Sequence, residues 1–119
     1  MKILIGASLV AVLLLAAPAC GFAADVGLRQ GLSALAARQH CDECHALQEA
    51  RIGPPFMALA ARYTGDGEAA VNRLALKIIN GGAGNWGTIP MVPNERISME
   101  DARTVARWIV SLGSKSQSK

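Results

Sequence analysis

The sequence predicts a small all-helical domain interrupted by one long irregular loop. Apolar residues recur at three- and four-residue spacing in several segments, the mark of amphipathic helices. No segment alternates convincingly as a strand would. The stretch from Asn80 to Asn94, NGGAGNWGTIPMVPN, holds four glycines and two prolines, too many for a regular element. A chain of 119 residues suits one compact domain, and a long loop inside it usually serves a function.

The chain opens Met1-Lys2 and then runs uncharged from Ile3 to Ala17, rich in Leu, Val and Ala, before the small residues around Ala17-Pro18-Ala19-Cys20-Gly21-Phe22-Ala23-Ala24. A basic start, a short apolar run and a small-residue cleavage region read as a secretory signal over 1–24. Cleavage after Ala19 and cleavage after Ala23 both fit. An uncleaved membrane anchor is the alternative, and Cys20 is placed where a bacterial lipoprotein accepts lipid, although Ala17-Pro18-Ala19 lacks the usual leucine. The exported domain then spans 25–113, followed by a flexible polar tail over 114–119.

The first helix is expected from about Val26 to Arg38, with Leu28, Leu32, Leu35 and Ala36 on one face and Gly31 where another helix can approach closely. Next come Gln39-His40-Cys41-Asp42-Glu43-Cys44-His45 and the segment Ala46 to Ile52. Gly53-Pro54-Pro55 must be extended, since proline disfavours helix in the residue before it. A short helix from Phe56 to Tyr63 precedes a turn at Thr64-Gly65-Asp66-Gly67. A third helix is expected from Glu68 to Ile79, with Val71, Leu74, Ala75 and Ile78 facing inward and Gly81 ending it. Ser98-Met99-Glu100-Asp101 opens the last helix as a capping box with Asp in the acidic place. Ala102, Val105, Ala106, Ile109 and Leu112 form its buried stripe, and Gly113 is read as its end.

The formal charge of +3 falls to about +2 once Lys2 leaves with the signal, and no cluster of Lys and Arg with interleaved aromatics is present. Nucleic acid is therefore not an expected partner. About 95 residues remain after the signal, with four large aromatics beyond Phe22: Phe56, Tyr63, Trp86 and Trp108. A core this small commonly relies on a cofactor or cross-link.

QHCDECH gathers two of the three cysteines and both histidines into seven residues. A two-residue gap between Cys41 and Cys44 suits a redox-active disulfide, half a zinc site, or two thioether bonds to one haem. The redox motif normally belongs to a domain with strands. A zinc site needs four ligands, and His40 is an awkward fourth beside Cys41, Cys44 and His45. The haem reading also accounts for His45, whose imidazole is carried beneath the ring once both thiols are attached. The second axial position then has candidates in His40, Met57, Met91 and Met99. His40 adjoins Cys41 and cannot readily reach the opposite face, while Met57 and Met99 read as packing residues on helices. Met91 stands between Pro90 and Pro93, where stiff backbone would hold a side chain without helical support.

CDECH, Gly53-Pro54, NWGTIPMVPN and a terminal amphipathic helix, in that order, resemble the small bacterial class I c-type cytochromes. The likeness covers essentially the whole exported domain, and is strongest to short periplasmic carriers that donate to nitrite reductase or a terminal oxidase. It implies about four helices around one covalently attached haem c, with the long loop carrying the sixth ligand. It further implies that Cys41 and Cys44 hold the haem and that His45 and Met91 bind its iron. Pro54 matches a proline whose carbonyl accepts the histidine's other N–H, and Trp86 a tryptophan reaching a haem propionate. Lys77 falls where the family often has an arginine doing the same, and Asn94 matches an asparagine near the ligand sulfur. The first and last helices would touch, with Gly31 at the crossing beside Trp108 and Ile109. Val92 departs from a proline often found there, which loosens the backbone after Met91.

The implied activity is single-electron transfer in the periplasm by a monomer, not catalysis, between respiratory donor and acceptor proteins met transiently. Membrane attachment would follow only from lipidated Cys20 or an uncleaved signal. Burial of the haem and a thioether ligand both favour the ferrous state and raise the reduction potential. Ile89, Pro90, Val92 and Pro93 would flank the exposed haem edge as a small docking patch, consistent with rapid dissociation. An enzyme subunit or sensor with a displaceable sixth ligand is the competing class, told apart by carbon monoxide binding.

Overall fold

The computed structural model describes residues 30–114, apart from residue 32. The expected signal over 1–24 with Cys20, the start of the first helix including Leu28, the packing of Leu32, and residues 115–119 of the tail lie outside the described residues.

Helix α1 covers 30–31 and 33–38 of the described residues. It closes through Gln39 N to Leu35 O (3.0 Å) and His40 N to Ala37 O (2.9 Å), after which His40 takes the left-handed conformation at φ 60°. A one-turn 3₁₀ helix follows at Cys41–Glu43. Pro55, extended at φ −63° and ψ 147°, leads into α2, Phe56–Tyr63. A second 3₁₀ turn, Thr64–Asp66, and a left-handed Gly67 at φ 53° redirect the chain into α3, Gly67–Asn80. Gly81 at φ 64° ends α3, its N–H donating to Lys77 O at 2.8 Å, a stop that a side chain would strain. Helix α4, Met99–Ser114, begins as expected, with Ser98 Oγ accepting from Asp101 N–H at 3.0 Å.

Helix α4 packs against both α2 and α3. Its inward stripe of Ala102, Val105, Ala106 and Ile109 meets Val71, Leu74 and Ile78 of α3 and Leu59 of α2 in one apolar cluster, which Leu35 and Ala36 of α1 join. Phe56 meets Trp108 edge-to-face with centroids 4.9 Å apart, so two of the few aromatics sit together at the centre. Arg107 reaches Glu68 at 3.0 Å, bridging α4 and α3 at the surface.

Four expectations change. Gly31 is exposed, and a Cβ there would meet nothing within 4 Å, so among the described residues the close approach is not at this glycine. It is instead at Gly113, which is buried inside α4 rather than beyond its end. A Cβ on Gly113 would run into the Thr64 hydroxyl and stand 2.9 Å from Ala60 O. The irregular loop contains one antiparallel bridge, Gly82 to Met91. Met99, read as a packing residue, is 41% exposed.

Candidate functional site

The site starts from a tight turn. Cys41 O accepts from Cys44 N–H at 3.3 Å and from His45 N–H at 2.9 Å, so the helical turn brings both thiols and the imidazole together. The next segment folds back over them: Gly53 N donates to Cys44 O (2.8 Å), Phe56 N to Ala46 O (2.9 Å) and Met57 N to Leu47 O (3.0 Å). This clasp brings the Pro54 carbonyl oxygen 2.6 Å from His45 Nδ1. A carbonyl can only accept, so Nδ1 is the nitrogen that donates, and in the neutral ring this leaves the Nε2 lone pair for a metal. His45 is buried at 8% exposure, its ring stacked on Phe56 at 5.4 Å, and Phe56 in turn leans on Trp108.

Gly53 lies so close to the imidazole that a Cβ there would overlap the ring, with Nδ1 and Nε2 both 2.8 Å away. The cradle exists because residue 53 has no side chain. Sequence reasoning placed Gly53 beside Pro54 as a landmark but gave it no role; its only signal was its place between the motif and the first prolines.

Cys41 and Cys44 are not joined to each other in a disulfide. Burial, reinforced by the charge of neighbouring Asp42, pushes the Cys41 thiol above its ordinary range. A redox-active pair needs the opposite shift, since the thiolate is the nucleophile. Among the described residues no three His, Cys, Asp or Glu side chains converge as a metal site would require, and His40 is turned to Glu43, Nδ1 to Oε1 at 2.9 Å. The donor set of two unpaired thiols, one oriented imidazole lone pair and an apolar wall fits a covalently held haem.

Met91 packs against the apolar cluster, as does Cys41. The prolines are not its only restraint: Gly82 and Met91 exchange backbone hydrogen bonds of 2.9 and 3.0 Å, pinning Met91 to the end of α3. A Cβ on Gly81 would strike Met91 O, so the chain passes close there. Lys77 lines a groove of about 300 Å3 between α3 and the loop, with Tyr63, Leu74, Gly81 and Asn85. Trp86 is 43% exposed, its ring 5.1 Å from the Arg62 guanidinium, a contact without a signal in the sequence. Asn94 N donates to Ile78 O at 3.1 Å, and its side-chain amide nitrogen lies 3.4 Å from both the backbone and the side-chain oxygen of Gln39. It thereby links the loop to α3 and to the end of α1.

A small helical domain with this turn, cradle and loop has the features of a haem-carrying protein. No protein-family model matches the chain. Over 78 residues it is 41% identical to cytochrome c-551 of Allochromatium vinosum, spanning 66% of this chain and 82% of that protein. Over 86 residues it is 40% identical to cytochrome c-552 of Nitrosomonas europaea, spanning 72% of this chain and 82% of that protein. The crystal structure of wild-type Nitrosomonas europaea cytochrome c552 superposes with a TM-score of 0.63 over 67% of this chain and 98% of that one. A class 1 cytochrome from Sideroxydans lithotrophicus, 25% identical, superposes with a TM-score of 0.58. The chain belongs to the cytochrome c-551 and c-552 family of small class I c-type cytochromes. Its members are electron-transfer proteins, not enzymes, and carry one covalently bound haem c.

Proposed function

We propose that this cytochrome is a periplasmic single-electron carrier whose iron is held by His45 and Met91, with Cys41 and Cys44 forming the two thioethers. When bound, the haem supplies a one-electron iron couple that exchanges with little rearrangement when both axial positions are filled. The observation that carries the reading is the His45 geometry: the Pro54 carbonyl fixes the tautomer and Gly53 admits the ring, so Nε2 is presented as a ligand before any metal arrives. The bridge at Gly82 supports Met91 as the other ligand, because a thioether on a backbone already pinned there costs little to order.

Trp86 and Lys77 would supply N–H donors to the haem propionates, and Asn94, bonded to Ile78 O and beside Gln39, steadies the chain just after Met91. Ile89 and Val92, 67% and 72% exposed beside exposed Pro90 and Pro93, form the docking patch for respiratory donor and acceptor proteins. Small apolar contact suits partners that must separate quickly. Export follows from the signal over 1–24, with the working domain over 25–113 acting as a monomer. Among the described residues no helix is long and apolar enough to cross a membrane.

The test is the visible spectrum of the haem-loaded protein, oxidised and reduced. A far-red ferric band marking sulfur bound to iron is expected, and should vanish in Met91→Ala. Its absence from the wild type at neutral pH, with carbon monoxide binding to the ferrous form, would reject Met91 ligation and favour a sensor or enzyme subunit.

A further inference from the structure

The tip of the Met91 loop, residues 83–90, is exposed throughout. Gly84 and Gly87 adopt φ 103° and 118°, conformations that glycine enters freely and that do not stiffen the tip. Internally it has Gly84 N to Gly87 O at 2.9 Å. Among the described residues, its hydrogen bond to a helix comes from one side chain: Arg62 Nη1 of α2 donates to Asn85 O at 2.9 Å. The same guanidinium lies 5.1 Å from the Trp86 ring centroid and 5.7 Å from that of Tyr63. A planar guanidinium can donate within its plane while its face rests on a ring; a lysine ammonium cannot do both. Stacking on the ring face leaves the indole N–H of Trp86 unused.

We propose that Arg62 is a positioning residue for Met91: it latches Asn85 and Trp86 to the end of α2 and so keeps the loop closed over the iron. The inference rests on Met91 being the sixth ligand. Met91 lies at the foot of this loop, in the bridge with Gly82. Freeing the tip therefore raises the population in which the thioether has left and the iron can take another ligand. One hydrogen bond and one cation–π contact at an exposed position together shift such a population about tenfold.

Ferric holoprotein titrated with imidazole reads that population directly as apparent affinity. Arg62→Ala is expected to tighten imidazole binding about tenfold and Arg62→Lys by less, while Arg107→Ala, which breaks the remote pair with Glu68, should leave it unchanged. Unchanged affinity in Arg62→Ala, with Met91→Ala binding imidazole far more tightly than wild type, would overturn the latch. A rise of the same size in Arg107→Ala would mark general loosening and overturn it as well. A wild type without the sulfur–iron band would instead strike down Met91 ligation, so the two failures are distinguishable.

Discussion

At the scale of single residues, the site depends as much on a missing side chain as on those that are present. Gly53→Ala would put a methyl group into the His45 ring, and overpacking of this kind costs about 2 kcal/mol. Holoprotein carrying it should unfold at lower denaturant with an altered visible spectrum; an unchanged spectrum and midpoint would refute the cradle. His40 offers a contrasting case. It holds φ 60° without being glycine, a conformation costing about 1 kcal/mol for a residue with a Cβ. Its contact with Glu43 is exposed and adds little. His40→Gly should be neutral or stabilising by up to about 1 kcal/mol, whereas His40→Val should destabilise by about 1 kcal/mol, as chemical denaturation can measure. Cys41, Cys44 and His45 were legible as a cluster because their close spacing puts them in one turn, and the structure brings them together there. Gly53 as a cradle was not, because its importance lies in what stands eight positions earlier in the chain and folds back against it.

At the scale of elements, the decisive contact is where α4 crosses the end of α2. Replacing glycine by alanine within a helix normally gains about 1 kcal/mol. Gly113→Ala should instead lose about 2 kcal/mol, because the new methyl meets Thr64 and the Ala60 carbonyl. A stabilising result in a denaturant melt would show that this crossing is looser than described. Ser98→Ala should cost about 1 kcal/mol through the lost cap at Asp101 N–H, read in the same way. Helix α2 matched its expected span and α3 differed by one residue at each end, since apolar periodicity and turn residues act within a few positions. The reading of Gly113 as a helix end failed for a physical reason. Glycine serves both to end helices and to let them touch, and only the neighbouring helix decides between the two.

For the whole molecule, the balance of charge and the proposed His45 and Met91 ligand pair set the expected behaviour. Met91→His should lower the reduction potential, since a thioether favours ferrous iron more than an imidazole does, by on the order of a few tenths of a volt. Redox titration of the two holoproteins would check this, and equal potentials would count against Met91 as ligand. A formal charge of +3 on the chain, about +2 without Lys2, predicts that electron transfer to a partner changes only a few-fold as ionic strength rises. Stopped-flow rates that fall by orders of magnitude would point to a charged docking face in place of the patch around Ile89 and Val92.

What the sequence by itself determined about this protein was local: the close grouping of Cys41, Cys44 and His45, the proline after Gly53, the helical stripes, the cap at Ser98 and the glycine stop at Gly81. Each depends on residues within about a dozen positions, where spacing and backbone preference suffice. The tertiary structure alone decided the contacts between distant segments. It set Gly53 against His45, Gly82 against Met91, Arg62 against Asn85 and Trp86, and Gly113 against Thr64. Such pairings leave no periodic trace, because they arise from where packed helices bring their ends, and a glycine or arginine fits many surroundings equally well until one is chosen.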